Sequence, residues 1–299
     1  MSDETTQGAT AHDESAHDGS AGDEQRERAQ LGDSDEPVED KLVEEFRSTV
    51  EEGANRLNRT RRALVVTGLF GGIDVGLGVM AMLAVLAATD SKLLAGLAFG
   101  IGLYALRLAH SELFTEDFLV PINAIAAGHG TWWQLVRLWT VTLVTNLVGG
   151  WLFTWFIVAA FPRFDAVLIE AATGYMEKGL TLETAALALL AGFTITLATR
   201  MAQGSGEGIT TLANSLISGF LVVGLGMLHG ALNSAVIFGA MHAGADITYA
   251  SWLVWFAWVI PLNMVGGLLL LTLPRLVRMR ELLAGERAAQ RERSAAHAG

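Results

Sequence analysis

One ionisable side chain lies inside an apolar stretch of this sequence, GLGMLHGALNSAVI, which runs from residue 224 to 237. A histidine at membrane depth is energetically costly, so it usually faces a cavity or the interior of a helix bundle and marks the path of an ion, proton or substrate. Asn233 follows His229 by four residues, which places both on one face of a helix. Histidine and asparagine also hydrogen-bond between packed helices, so the pattern is compatible with a transport site and with a structural contact.

Two glycines precede this histidine and predict a break in the helix. Gly224 and Gly226 flank a single leucine, and paired glycines in the middle of a spanning helix favour interruption over a continuous rod. A half-helix beginning after them would present its first N–H groups near His229. Helix N-termini carry partial positive charge and attract anions. The predicted chemistry is therefore hydrogen bonding or proton sharing with a small anion.

The composition indicates a membrane protein that crosses the bilayer several times, since 52% of the 299 residues are apolar and the mean hydropathy is +0.41. The formal net charge of -11 belongs to the N-terminus, because residues 1–40 hold 13 acidic and 2 basic residues and the remainder holds 18 of each. No basic stripe is present, which disfavours nucleic acid as a partner. The sequence has no cysteine, no nucleophile with a base and no metal-ligand spacing, so we expect no enzyme activity, metal or cofactor.

Six apolar runs predict six membrane spans, at residues 63–88, 91–127, 132–161, 180–201, 209–244 and 251–273. The second and fifth runs are much longer than the roughly 20 residues that one span needs. Polar residues interrupt the second run between Ser111 and Asp117, and the glycine pair interrupts the fifth. Arginines just before the first span and just after the sixth predict a multi-pass protein of the cell membrane with both termini in the cytoplasm.

Four segments follow from this pattern. Residues 1–37 are predicted to be a disordered acidic tail in the cytoplasm, because they lack large apolar side chains. Residues 38–60 carry apolar residues at three- and four-residue steps, which predict an amphipathic helix on the membrane surface, beneath the helix bundle or on a partner protein. Residues 61–274 form the six-helix transmembrane domain, and residues 275–299 form a cytoplasmic C-terminal tail.

A repeated motif predicts that the spans form two related halves. The third span contains NLVGG beginning at Asn146, and the sixth contains NMVGG beginning at Asn263. A three-span unit that is repeated once must insert its second copy upside down, and broken helices at corresponding positions of inverted repeats indicate a central binding site. The glycines, among them Gly149, Gly266 and Gly267, allow neighbouring helices to approach closely.

These residues resemble the formate/nitrite transporter family. The matching motifs are ELFT, which ends at Thr115, then NLVG, then His229 with Asn233, then NMVGG, and the topology agrees over residues 40–280. The resemblance implies an all-α, aquaporin-like fold of six transmembrane helices in two inverted three-helix repeats, with the second and fifth helices broken. It further implies a homopentamer in the lipid bilayer, with one pore in each protomer for small monovalent anions such as formate or nitrite, by passive or proton-coupled passage.

The same resemblance implies which residues line the substrate pore. Thr115 and His229 are expected to face each other across it, and Leu113 to form part of a hydrophobic constriction. The full expected set is His229, Thr115, Asn233, Leu113, Phe114, Phe99 and Leu103, with the last two at the opposite constriction.

Several positions depart from the family pattern. The usual LFTGN reads LFTED here, with Glu116 and Asp117, and Leu228 replaces the usual glutamate before the histidine. Ile195 stands near the position of a cysteine, and Lys178 is the nearest match to an outer lysine. These changes alter the polar network around the histidine and indicate a divergent branch. Two alternatives remain open: a membrane scaffold that transports nothing, and a water or neutral-solute channel of the same fold.

Overall fold

The computed structural model describes residues 37–203 and 208–296, and the predicted acidic tail lies outside these ranges except for its last residue. Within these two ranges the secondary structure is entirely helical, with no strands. The helices are α1 (Pro37–Leu57), α2 (Arg61–Thr89), α3 (Lys92–Leu108), α4 (Val120–Ala126), α5 (Trp132–Ala160), α6 (Asp165–Met176), α7 (Leu182–Gln203), α8 (Ile209–Gly219), α9 (Gly230–His242), α10 (Tyr249–Gly267), α11 (Leu273–Arg278) and α12 (Arg280–Ala296). Short 3₁₀ helices lie at Phe114–Phe118 and Pro162–Phe164, and π-helical turns at Phe220–Gly224 and Leu268–Thr272.

Four of these helical stretches are long and apolar enough to cross a membrane, counting only the described residues. They are α2, α5, α7 and the continuous run Tyr249–Arg278, and they coincide with the predicted first, third, fourth and sixth spans. The predicted second and fifth spans correspond to α3 with α4 and to α8 with α9. Each of these two stretches is interrupted, so both predicted breaks are confirmed.

The break between α8 and α9 depends on backbone that glycine adopts easily. The π-helical turn ends at Gly224, and Gly226 then has a φ of +65°. Residues with a Cβ are strained in this left-handed region, whereas glycine is not. The chain leaves the helix here and starts a new one at Gly230, as the glycine pair in the sequence predicts.

An asparagine of α5 holds the break in the first half. Asn146 Oδ1 accepts a hydrogen bond from the backbone N–H of Phe114 at 2.9 Å. Its Nδ2 donates to the carbonyl oxygens of Gly68 at 2.7 Å and Glu112 at 2.9 Å. The side chain therefore joins the interrupted stretch to α2 and supplies partners for backbone groups that the missing helical turn leaves unpaired.

An asparagine of α10 does the same in the second half. Asn263 Oδ1 accepts from the backbone N–H of Gly230 at 2.8 Å. Its Nδ2 donates to the carbonyl oxygens of Ala188 and Leu228, both at 2.8 Å. The two asparagines thus make the same three bonds to corresponding groups, and we call them the asparagine clamps.

The glycines of the two motifs bring the clamped helices together. A Cβ on Gly149 would collide with the backbone oxygen of Leu69 in α2, and a Cβ on Gly266 would collide with the backbone oxygen of Leu189 in α7. Each oxygen belongs to the helix that the asparagine of the same motif contacts. The repeat that the sequence predicts is therefore present in matching helix contacts.

Helix α1 packs beneath the bundle, which is one of the positions predicted for it. Phe46 and Val50 are buried against Ala127, Met279 and neighbouring residues. Residues 280–296, for which the sequence analysis predicts no helix, form α12. This helix supplies further apolar contacts to the same cluster, so the N-terminal and C-terminal helices cover one end of the bundle together.

We predict that Asn263→Ala lowers the melting temperature of the purified protein. The change removes the partners of one buried N–H and two carbonyl oxygens, and an unsatisfied buried group costs about 1–3 kcal/mol. Asn214→Ala is the matched control, because the buried Asn214 donates a single bond, to the carbonyl oxygen of Ala198 at 2.8 Å. Thermal unfolding in detergent should show the larger decrease for Asn263→Ala. Equal decreases would contradict the clamp.

Candidate functional site

His229 is the N-cap residue of α9. Its Nδ1 accepts a hydrogen bond from the backbone N–H of Leu232 at 3.2 Å. In return, Asn233 Oδ1 accepts from the backbone N–H of His229 at 3.1 Å. This reciprocal capping satisfies donors at the start of the half-helix. The break therefore fixes both the position of the histidine and the direction of its ring.

Thr115 lies directly beside the histidine ring. His229 Nε2 and Thr115 Oγ1 are 3.0 Å apart, and the two residues are 2% and 0% exposed. Because Nδ1 accepts from Leu232, the neutral ring carries its proton on Nε2 and donates it to Thr115. A proton on Nδ1 and the capping bond exclude each other. The structure thus brings together the two residues that the sequence analysis places opposite each other.

Two cavities lie at opposite ends of the bundle. The α1-side cavity has a volume of about 450 Å³ and is lined by α1 and the last turns of α3 and α7. The α6-side cavity has a volume of about 210 Å³ and is lined by the last turns of α2, the start of α3 and α6. The 17 residues of α3 separate these ends by about 25 Å.

The His229–Thr115 contact lies between residues that line different cavities. Glu116, next to Thr115 in the chain, lines the α1-side cavity. Leu228, next to His229, lines the α6-side cavity. The hydrogen-bonded pair is therefore placed between the two spaces.

The apolar residues predicted for the constrictions are buried near this pair. Phe99, Leu103 and Leu113 belong to one core cluster that also contains Leu228 and Ile195. All three are at most 8% exposed. We call Phe99, Leu103 and Leu113 the apolar barrier, and their place at constrictions of the pathway stays a prediction.

Two other predicted pore residues have different surroundings. Phe114 packs edge to face against Phe118 and Trp139, with ring centroids 5.0 and 6.3 Å apart. It is buried and lines neither of the two cavities. Asn233 is fully buried, and its oxygen bonds the backbone of His229. In the structure this asparagine orients the start of α9.

The three carboxylates at the break in the second span are buried. Glu112 and Asp117 are 1% and 0% exposed and lie against arginines. Arg56 Nη1 is 3.1 Å from Asp117 Oδ1 and 3.6 Å from Glu112 Oε1. Arg59 also pairs with Glu112. Buried charges are tolerated when they are paired in this way. The third carboxylate, that of Glu116, lines the α1-side cavity.

Arg56 anchors α1 to the break through its charge. Burial of Arg56 opposes its positive charge, but Glu52, Asp117 and Glu112 outweigh this effect and raise its pKa above the ordinary value. Burial raises the pKa of Glu52, but the charge of Arg56 at 2.6 Å and the hydrogen bonds from Arg56 and Gln203 together outweigh burial, so the pKa of Glu52 is lowered. The sequence does not single out Arg56, because an arginine at this position fits the ordinary polar face of an amphipathic helix.

Lys178 lies at the end of the bundle opposite α1. Lys178 lines the α6-side cavity, and its Nζ is 3.7 Å from Glu183 Oε1. The cavity also contains Asp90, Lys92 and Glu170. Both signs of charge are therefore present at this entrance.

Apolar helices with two clamped breaks, and a polar pair between cavities at both ends, define a helical membrane channel or transporter. The sequence profile described as "Formate/nitrite transporter" matches residues 43–277. The chain belongs to this family, which confirms the predicted resemblance.

Solved structures show the same fold. One, an "FNT family ion channel", superposes with a TM-score of 0.69 at 19% sequence identity and covers 78% of this chain and 98% of its own. Another, a "Pentameric formate channel with formate bound", has a TM-score of 0.60 and 21% identity and covers 73% and 98% of the two chains. No curated protein matches the sequence.

We predict that His229→Ala destabilises the protein and that His229→Asn does so much less. Alanine cannot cap α9, and loss of an N-cap costs about 0.5–2 kcal/mol. Asparagine is a good N-cap residue and can still accept from the backbone, although it does not reach Thr115 as the longer ring does. Melting temperatures of both purified variants check this. An equal loss for the two substitutions would show that capping is not what the histidine contributes to stability.

Proposed function

We propose that the chain is a channel or transporter for small monovalent anions of the formate and nitrite type, with passage that is passive or coupled to protons. The observation that carries this proposal is the contact between His229 and Thr115 at the N-terminus of α9, between two cavities. Family membership supports the same conclusion. So does the fold shared with a formate channel.

The start of α9 favours an anion at this depth. A helix N-terminus carries partial positive charge, which stabilises a nearby anion. The apolar barrier opposes a bare charge, because removing an anion from water without compensating bonds is very costly. The His229 Nε2–H is the hydrogen-bond donor placed to offset that cost, with the Thr115 hydroxyl as its resting partner.

The capping bond favours donation of a hydrogen bond over complete loss of the proton. A neutral ring that gave up its Nε2 proton would become an imidazolate unless Nδ1 took up another proton. Taking up that proton requires the bond from Leu232 to break. We therefore propose that His229 polarises the passing anion through Nε2–H and that the anion is carried together with a proton from solution when transport is proton-coupled.

The arrangement in the membrane is part of this proposal. Six crossings in two inverted repeats place both termini and the α1-side cavity in the cytoplasm, since arginines flank the first and last spans. Exposed residues on α5 and α10, such as Trp133 and Val254 at 76% and 72% exposed, suit contact with lipid or with another protomer. We propose a homopentamer in the cell membrane, as the name of the similar pentameric formate channel suggests.

Uptake of labelled formate, nitrite, acetate and hydrosulfide into proteoliposomes tests the proposed function. We predict formate or nitrite uptake by the wild type and a decrease of roughly tenfold or more in His229→Asn, because a hydrogen bond to a charged group contributes about 1.5–3 kcal/mol. Thr115→Val should give a smaller decrease.

The matched control for Thr115→Val is Thr154→Val. Thr154 is buried in α5, and its hydroxyl donates to the carbonyl oxygen of Gly150 at 2.9 Å, within its own helix. This control should transport as the wild type does. Folded wild-type protein that carries none of the four anions would refute the proposal and favour a membrane scaffold.

A further inference from the structure

An ion pair separates two spaces on the α1 side of the apolar barrier. Arg107 Nη2 lies 2.7 Å from Glu116 Oε1 and 3.4 Å from Thr199 Oγ1. Arg107 and Glu116 both line the α1-side cavity, and both also line a small third cavity of about 10 Å³. The Glu116 side chain is 4% exposed and that of Arg107 is 19% exposed. The pair therefore stands at the boundary between the two spaces.

The third cavity connects this boundary to the barrier. Leu103 and Ile195 line it, and both belong to the core cluster that contains Leu228. Its polar wall comes from α8, through Asn214, Ser215 and Ser218. A volume of about 10 Å³ holds at most about one water molecule. The Arg107–Glu116 pair therefore borders both the α1-side cavity and the space beside Leu103 of the apolar barrier.

We infer that Arg107 is an anion-binding subsite of the pathway and that Glu116 occupies it as a built-in competitor. This inference rests on the proposed function. A guanidinium binds planar oxyanions through directed N–H···O bonds. Glu116 and formate both present a carboxylate group. The Glu116 carboxylate pairs with Arg107 at the position that an incoming carboxylate would take.

The two neighbouring carboxylates are not placed between cavities as Glu116 is. Glu112 and Asp117 pair with Arg56 and line none of the three cavities described above. Their ion pairs join the break to α1. Glu116, in contrast, has cavity space on both sides of its ion pair, so its carboxylate can leave Arg107 without being forced into apolar packing. The site therefore selects planar carboxylate-like anions, and Glu116 sets how high their concentration must be.

Competition of this kind lowers the apparent affinity in proportion to the fraction of time that Glu116 leaves Arg107 free. Glu116→Gln keeps the size of the side chain and removes its charge. We predict that the formate concentration for half-maximal uptake falls by about tenfold in this variant. Asp117→Asn, which neutralises the adjacent buried carboxylate, should leave that concentration unchanged.

The experiment measures labelled formate uptake against formate concentration in proteoliposomes of the full chain, together with the formate-induced rise in melting temperature. In the double variant Arg107→Gln, Glu116→Gln the gain in affinity should disappear. If Glu116→Gln does not fold, Glu116→Asp, which keeps the charge and shortens the reach, should lower the half-saturating concentration in the same direction.

Three outcomes overturn the inference. They are an unchanged half-saturating concentration in both Glu116 variants, an equal gain in Asp117→Asn, and a gain that persists without Arg107. Each leaves formate uptake by the wild type in place and so removes the subsite alone. Absence of uptake of all four anions, formate, nitrite, acetate and hydrosulfide, by folded wild type would instead remove the proposed function.

Discussion

A helix that stops inside a membrane leaves backbone N–H and carbonyl groups unpaired, and hydrocarbon offers them no partners. The fold depends on how the chain satisfies those groups. Asn146 and Asn263 reach across from neighbouring helices and each bind one N–H and two carbonyl oxygens. Because each clamp also contacts a third helix, it couples the interruption to the packing of its own half. Gly149 and Gly266 permit the close approach that the clamps need.

The two halves differ at the residue that precedes each clamped N–H. In the second half this residue is His229, whose ring caps α9 through Nδ1 and presents Nε2–H to Thr115. In the first half it is Leu113, which makes no side-chain capping bond and lies in the apolar barrier. One backbone geometry, used twice, therefore positions one hydrogen-bond donor and one apolar side chain. That difference is what the proposed route requires, since the donor offsets the cost that the apolar layer imposes.

Both breaks could be predicted from local features of the sequence. These features are the excess length of two apolar runs and the glycine pair in the fifth span. The asparagine motifs predicted the repeat, since their spacing recurs three spans apart. The charge network was not predictable, because Arg56 and Asp117 are 61 positions apart and Arg56 fits the polar face of α1. The family resemblance predicts Phe114 in the pore, and this stays a prediction. Its ring contacts with Phe118 and Trp139 join residues 4 and 25 positions away, and the second of these contacts could not be read from local sequence.

The broken fifth span holds a neutral His229 with its proton on Nε2, because the backbone N–H of Leu232 donates to Nδ1. Solid-state ¹⁵N spectroscopy of histidine-labelled protein in bilayers measures this directly, with His229→Asn used to assign the signal. We predict a neutral ring at neutral pH, with a protonated Nε2 coupled through space to the side chain of Thr115 and an unprotonated Nδ1. A proton on Nδ1, in either a neutral or a charged ring, would contradict the capping geometry and the role proposed for this histidine.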